Sequence, residues 1–331
     1  MKKLINNPNE VVTEMIEGMI LAHPDKLKNL EGTSVIARKD APVAGKVGIV
    51  SGGGSGHEPS HAGYVGKGML DAAVCGEVFT SPTPDQVYEA IKAVDSGNGV
   101  LLIIKNYTGD VMNFEMAAEM AEAEGIKVAK VVVNDDVAVE NSTYTTGRRG
   151  IAGTVFVHKI AGAKAQKGAS LEEVEAVANK VIENVRSMGM ALTPCIVPAA
   201  GKPGFHLGDN EMEIGMGIHG EPGIEKTELK SADEVAEILL NKILKDMKLS
   251  SNDKVAVMIN GLGATPVMEL YIVNRKVSQM LQERGIQVHE TFVGNFMTSL
   301  EMAGCSVTLL KLDDELAELL DAECDTVAFK K

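Results

Sequence analysis

Short apolar runs alternate with stretches of helical periodicity along most of the chain. The apolar, β-branched runs predict strands at 47–50, 100–104, 128–133, 191–197, 255–259, 288–293 and 307–310. Helix starts lie between them: Ser170–Glu173 and Ser231–Glu234 match the S-x-x-E capping box, and Thr83 and Thr265 each precede a first-turn proline. This alternation predicts an α/β fold, with a parallel or mixed N-terminal sheet flanked by helices.

A stretch rich in proline and glycine, 193–223, separates two sets of predicted elements. Such a composition is typical of a junction whose loops need special backbone angles. At 331 residues the chain is long enough for two cores. We therefore predict an N-terminal α/β domain over 1–188 and a second, smaller α/β domain over 189–331.

The composition excludes several classes of protein. A net charge of −14, a pI near 5.0 and the absence of tryptophan argue against binding nucleic acid. The sequence has no apolar run near 18 residues and no secretory leader, so we expect a cytoplasmic protein without a membrane span. Cys75, Cys195, Cys305 and Cys324 are far apart and form no CxxC pair, which predicts buried free thiols and no metal site.

The segment Ser51-Gly-Gly-Gly-Ser-Gly-His57 directly follows a predicted buried strand. Glycine has no Cβ, so backbone N–H groups can approach a ligand closely. His57, Glu58 and His61 follow at once, which favours a ligand-binding loop over a sharp turn without a ligand. Neither the Walker A pattern nor the G-x-G-x-x-G fingerprint is present, so the sequence predicts no standard nucleotide cradle.

Two further segments place polar side chains next to predicted strands or glycines. Lys105 and Asp110 follow the apolar run at 100–104. Asp110 could be a general base or could cap the next helix, and Lys105 could be a solvated charge at the strand end. His219 lies among glycines in Gly215-Met-Gly-Ile-His-Gly-Glu221; the alternative to a functional histidine is a structural one in a loop.

Five segments in this order closely resemble the dihydroxyacetone kinase K-subunit family: GGGSGHEPSH, GEVFTSPTPD, KNYTGD, ENSTYTTGRRGIAGTVFVHK and GIHGEPG. The similarity continues through NGLGATPVMELYI and VGNFMTSLEMAG, so it covers essentially the whole chain. The resemblance implies that His219 binds the ketone dihydroxyacetone covalently, as a hemiaminal.

The same resemblance implies roles for the other candidate residues. Gly54, Ser55 and Gly56, with His57, Lys105 and Asp110, would bind the substrate. His57 and Asp110 would also assist removal of the hydroxyl proton as phosphate arrives. The domain over 1–188 would then be the substrate-binding domain, and the domain over 189–331 would carry the histidine anchor.

Family resemblance also implies partners. The chain stops at Lys331, soon after the K-like region, so we expect the phosphoenolpyruvate-dependent type, with ADP or ATP and magnesium on a separate L subunit and no cofactor on this chain. A phosphotransferase-system phosphocarrier would recharge that subunit, and the K subunit would be a homodimer.

Two other functions are compatible with the sequence. A K-like paralogue could sense dihydroxyacetone and co-activate a transcription regulator, although sensing needs no proton transfer and so gives no reason to keep His57, Lys105, Asp110 and His219 together. A weaker alternative makes His219 a phosphohistidine carrier.

Overall fold

The structure, a computed structural model, describes residues 2–142 and 145–331; Thr143 and Tyr144, within one of the five segments above, lie outside the described residues. The helices are α1 (Val11–Ala22), α2 (Pro84–Val94), α3 (Thr108–Ala123), α4 (Thr154–Gln166), α5 (Leu171–Asn184), α6 (Ala232–Met247), α7 (Val267–Glu283) and α8 (Asp314–Asp321). The strands are β1 (Leu27–Asn29), β2 (Val35–Arg38), β3 (Gly48–Ser55), β4 (Gly66–Lys67), β5 (Ala72–Val78), β6 (Val100–Lys105), β7 (Val128–Val133), β8 (Val185–Ala191), β9 (Glu211–Ile214), β10 (Glu225–Glu228), β11 (Lys254–Gly261), β12 (Gln287–Gly294), β13 (Gly304–Leu312) and β14 (Asp325–Thr326).

The first sheet has the order β1-β2-β5-β3-β6-β7. Strands β5, β3, β6 and β7 are parallel, and β1 and β2 extend the sheet in antiparallel fashion. Parallel strands end at the same edge of a sheet, which is where open α/β sheets bind ligands. This arrangement therefore brings the ends of β3, β5 and β6 together.

The second sheet has the order β10-β9-β8-β13-β11-β12, and in it only β11 and β12 are parallel among the described strands. Helices α6 and α7 cover its outer face, as α2 and α3 cover that of the first sheet. Helices α4, α5 and α8 lie between the two sheets, in a core that includes Ile103 from β6 and Met258 from β11. The predicted α/β class with two sheets is confirmed.

Most predicted elements are found, with one clear exception. Strands β3, β6, β7, β11, β12 and β13 occur where they were predicted, and both capping boxes, at Ser170 and Ser231, are formed. The predicted strand at 191–197 is wrong, because β8 ends at Ala191. Val185 is the only β-branched residue of β8, whose pairing with β13 rather than its own propensity makes it a strand. The strand continues across residue 188, where the predicted domain boundary lies.

The four cysteines are buried and free, as predicted. Among residues 2–142 and 145–331, every helix is too short or too polar to cross a lipid bilayer.

Lys159 of α4 is buried between the sheets, where its Nζ donates a hydrogen bond to the carbonyl oxygen of Leu319, 2.8 Å away. Burial lowers the pKa of Lys159 from 10.5 to about 8, against a smaller opposing effect of Cys324. Between these two pKa values the unfolded chain binds more protons than the folded one, so the free energy of unfolding rises with pH.

Lys159→Met should remove this contribution to the pH dependence. Between pH 7 and pH 9.5, the free energy of unfolding should rise by up to about 2 kcal/mol more in the native protein than in the variant. Urea unfolding of both proteins at the two pH values measures this gain. Equal pH dependence in the two proteins would show that burial does not lower the pKa of Lys159.

Candidate active site

A cavity of about 480 Å³ opens at the carboxyl edge of the first sheet. The residues that line it come from the end of β3, the turn after β5, the start of α3 and the loop after β9: Gly54, Phe79, Thr80, Ser81, Tyr107, Thr108, Gly109, Asp110, Asn113 and His219. The parallel strand order brings the first three groups together. Within the part of the chain that the structure describes, the loop after β9 contributes one lining residue, His219.

The glycine-rich segment is mostly strand rather than loop, because β3 continues through Ser55. A Cβ on Gly54 would lie 2.5 Å from the backbone nitrogen of Thr80, so only glycine allows this close approach at the cavity wall. Ser55 and Gly56 instead line a second cavity of about 300 Å³. There the Ser55 hydroxyl donates to the Gly76 carbonyl (2.7 Å), and the Gly56 N–H donates to the Glu58 carboxylate (3.0 Å).

Lys105 and Asp110 form a buried pair at the cavity, with Nζ 3.7 Å from Oδ2. Lys105 is fully buried, so the alternative of a solvated strand-end charge is wrong. Asp110 is the third residue of α3, whose N-cap is Tyr107, so the capping alternative is wrong as well. Among the described residues, Lys105 Nζ has no hydrogen-bond partner, which leaves its donors available to a ligand.

His57 is fully buried directly beside the cavity. Its Nδ1 lies 2.7 Å from the Thr298 carbonyl oxygen, which can only accept, so Nδ1 carries the proton. Its Nε2 has no partner in the described part of the chain and holds a free lone pair. Burial, and then the charges of Lys105 and His219, lower the pKa of His57 well below its usual value, so the ring is neutral near pH 7.

His219 pairs with a carboxylate that the sequence analysis did not single out. Its Nδ1 lies 2.8 Å from Glu221 Oε1, while Oε2 accepts the His219 backbone N–H at 2.8 Å. Burial alone would raise the pKa of Glu221, but the charge and hydrogen bond of His219, helped by Arg149, lower it to about 2. An ionised carboxylate only accepts, so Nδ1 carries a proton, and in the neutral form of the ring the lone pair lies on Nε2.

Three aromatic rings surround the imidazole of His219. The centroids of His57, Phe79 and Tyr107 lie 4.8, 5.2 and 4.5 Å from its own, all in edge-on orientations. The side chain is only 13% exposed. The rings therefore restrict rotation of the imidazole and keep most of it out of water.

A buried arginine supports the loop that carries His219. Arg149 donates from Nε to Asp136 (2.8 Å) and from Nη2 to the Gly215 carbonyl (2.7 Å). A Cβ on Gly217 would lie 2.1 Å from Glu221 Oε2, so a side chain at this position would displace the carboxylate. The structure thus brings His57, Lys105, Asp110 and His219 together and adds Glu221, Arg149, Phe79 and Tyr107.

The Dak1 domain model matches residues 17–328. The chain is 58% identical to the dihydroxyacetone-binding subunit of PTS-dependent dihydroxyacetone kinase 1 of Listeria innocua, over 99% of this chain and 100% of that one. The solved dihydroxyacetone kinase of C. freundii superposes with a TM-score of 0.92 at 37% identity, over 99% of this chain and 60% of that one. A dihydroxyacetone kinase operon co-activator superposes with a TM-score of 0.90 at 37% identity, over 98% of each chain. The chain therefore belongs to the Dak1 domain family, which confirms the resemblance to dihydroxyacetone kinase K subunits.

Proposed function

We propose that this chain is the dihydroxyacetone-binding subunit of a dihydroxyacetone kinase and holds the ketone covalently on His219 Nε2. The observation that carries the proposal is the hydrogen bond from His219 Nδ1 to Glu221, which in the neutral ring places the lone pair on Nε2, in a side chain that lines the cavity. The name of the Listeria innocua relative supports dihydroxyacetone as the ketone.

The bond to the ketone forms by addition. The Nε2 lone pair attacks the carbonyl carbon, the C–N bond forms, and the π electrons move to oxygen, which takes up a proton. The imidazole gains positive charge, which the Glu221 carboxylate stabilises, and it releases its Nδ1 proton to solvent while the oxygen takes one from solvent, so the product is a neutral hemiaminal. Lys105 can stabilise the transient oxyanion. Glycerol has no carbonyl carbon and cannot form this bond.

Proton removal from the bound hydroxyl falls to His57 and Asp110. His57 offers a neutral Nε2 without another partner, and Asp110 lines the cavity. The phosphate would come from ATP, bound with magnesium on a separate L subunit, and a phosphocarrier of a phosphoenolpyruvate-dependent system would convert the remaining ADP back to ATP. The proposal keeps Gly54, Ser55 and Gly56 as substrate-binding residues, and of these three Gly54 lines the cavity that His219 lines. We further propose a cytoplasmic homodimer; the division into domains over 1–188 and 189–331 stays a prediction, and β8 crosses that boundary.

Intact-protein mass spectrometry tests the covalent step. With dihydroxyacetone the mass should increase by one molecule of the ketone, and peptide mapping should locate the addition at His219. Glycerol should give no increase. Acid-labile phosphate on His219 without a ketone adduct would instead support the phosphohistidine carrier.

Glu221→Gln should weaken the adduct. The glutamine amide has one acceptor oxygen, so it cannot accept from both Nδ1 and the His219 N–H as the carboxylate does. Loss of a charge-assisted hydrogen bond predicts a fall of about 10- to 100-fold in the association constant for dihydroxyacetone. Titration followed by mass spectrometry measures it.

Glu213→Gln is the matched control, because Glu213 accepts a backbone N–H from Gly223 (2.7 Å) and glutamine can still do so. Its adduct should form normally. An equally strong adduct in Glu221→Gln would contradict the role of Glu221 in fixing the protonated nitrogen.

The competing function is that of a co-activator, because the co-activator structure superposes with a TM-score of 0.90, close to the 0.92 of the kinase structure. The juxtaposition of His57, Lys105, Asp110 and His219 supports the kinase, since sensing needs no base. Mixing the chain with an L subunit, a phosphodonor and dihydroxyacetone should give the phosphorylated ketone. Adduct formation without product would support the co-activator.

A further inference from the structure

One short segment of the second domain contacts the backbone of both histidine loops. The segment 298–300 lies between β12 and β13 and belongs to a stretch to which the function above assigns nothing. Four contacts involve the loop of His57: the Thr298 carbonyl accepts the Nδ1 proton, the Thr298 N–H donates to the His57 carbonyl (3.2 Å), the Thr298 hydroxyl donates to the Glu58 carbonyl (2.8 Å), and the Leu300 N–H donates to the Gly56 carbonyl (2.7 Å).

The next side chain in the segment faces the other loop. Ser299 is fully buried, and its hydroxyl donates to the carbonyl of Ile218 at 2.5 Å. Ile218 directly precedes His219. Residues 298 and 299 therefore hold two histidines that are far apart in the sequence.

Asn260 of β11 fixes the start of this segment. The side chain is fully buried, and its Oδ1 accepts the N–H groups of Phe296 (2.8 Å) and Met297 (3.0 Å). Its Nδ2 donates to the Met297 carbonyl at 2.7 Å. Leu300 adopts a left-handed backbone with φ of 53°, a conformation that persists only where surrounding contacts enforce it. The segment is thus fixed to the second sheet.

We propose that Thr298 and Ser299 are positioning residues with separate tasks: Thr298 aligns His57 for proton removal, and Ser299 aligns His219 for addition to the ketone. The proposal rests on the function proposed above. The Thr298 carbonyl keeps the proton on Nδ1 of His57 and leaves Nε2 as the base, and the Thr298 hydroxyl holds that carbonyl against the 56–58 turn. The Ser299 hydroxyl, through its hydrogen bond to the Ile218 carbonyl, fixes the position of the loop that carries His219.

Two nearly isosteric substitutions separate these tasks in the full chain, assayed with its L subunit and a phosphodonor. Thr298→Val removes the hydroxyl bond to Glu58 and should lower kcat at saturating dihydroxyacetone about 5-fold, with the adduct dissociation constant changed less than about 2-fold. Ser299→Ala should raise the adduct dissociation constant about 5-fold, with kcat of the saturated protein changed less than about 2-fold.

Controls distinguish positioning from general destabilisation. Ser187→Ala removes a buried hydroxyl that lies 2.7 Å from the Thr308 hydroxyl in the same sheet, and it should change neither quantity. Thr298→Ser keeps the hydroxyl and should restore kcat. Equal effects of Thr298→Val and Ser299→Ala on both quantities, or no rescue by Thr298→Ser, would overturn the proposal.

These outcomes are separable from a failure of the proposed function. If the native protein forms the ketone adduct but Thr298→Val and Ser299→Ala change kcat and the adduct dissociation constant alike, only the positioning roles are overturned. Absence of any adduct on the native protein overturns the covalent function itself.

Discussion

His219→Ala should form no adduct with dihydroxyacetone and should lose at least about 10³-fold in kcat/KM with its L subunit. Alanine supplies no nucleophile, so the ketone would be held only by hydrogen bonds and would lose the alignment that the covalent bond gives. Mass spectrometry measures the adduct, and a coupled assay of the phosphorylated ketone measures turnover.

The same variant should lose discrimination between dihydroxyacetone and glycerol. The native protein distinguishes them by whether a carbon–nitrogen bond can form, and in the variant only similar hydroxyl contacts remain. His206→Ala is the matched control, because His206 is an exposed histidine in the same proline- and glycine-rich stretch. Retention of a full adduct by His219→Ala would show that another side chain binds the ketone.

The first sheet and its part of the site follow from local sequence patterns. The apolar runs that became β3 and β6 are continuous, as is typical of parallel strands buried on both faces. Residues just after such strands meet at one edge, so the order of the strands along the chain is enough to place Gly54, Lys105 and Asp110 near each other. The alternative for Lys105 was decided by its burial and that for Asp110 by the residue at which α3 begins, and no local pattern shows either.

The second sheet was harder to predict because its strands depend on their neighbours. The residues of β8 have weak strand propensity, and the β-branched residues that follow, at 193–197, surround Pro194 and remain outside the strand. The pairing between β8 and β13 joins residues more than a hundred positions apart. No local pattern in the sequence shows that pairing.

Of the polar partners of the two histidines, one could be predicted from local sequence and the other depends on the tertiary fold. Glu221 is two residues from His219 within the GIHGEPG segment, so it could have been identified from the sequence as a carboxylate partner of that histidine. The partner of His57 is the backbone carbonyl of Thr298. Every residue has such a carbonyl, so the residue type does not indicate this contact. Phe79 and Arg149 also reach the His219 loop only through the tertiary fold.

Asp110→Asn should lower kcat by about 10²–10⁴-fold and leave the adduct with dihydroxyacetone intact. The carboxylate lies at the cavity, 3.7 Å from Lys105 Nζ, where it can take the hydroxyl proton as phosphate arrives. An amide of nearly the same shape cannot accept that proton, whereas the addition of His219 to the ketone does not need it. Adduct mass and product formation, measured on one preparation, separate the two steps.

Asp314→Asn provides the control for a change at the start of a helix. Asp314, like Asp110, lies in the first turn of its helix, α8, but it is exposed to solvent. Both substitutions remove a favourable interaction with the helix dipole, worth about 0.3–1 kcal/mol, so only a loss specific to Asp110 reflects chemistry. Normal turnover in Asp110→Asn would leave His57 as the base, and simultaneous loss of the adduct would mean that Asp110 maintains the cavity rather than removes the proton.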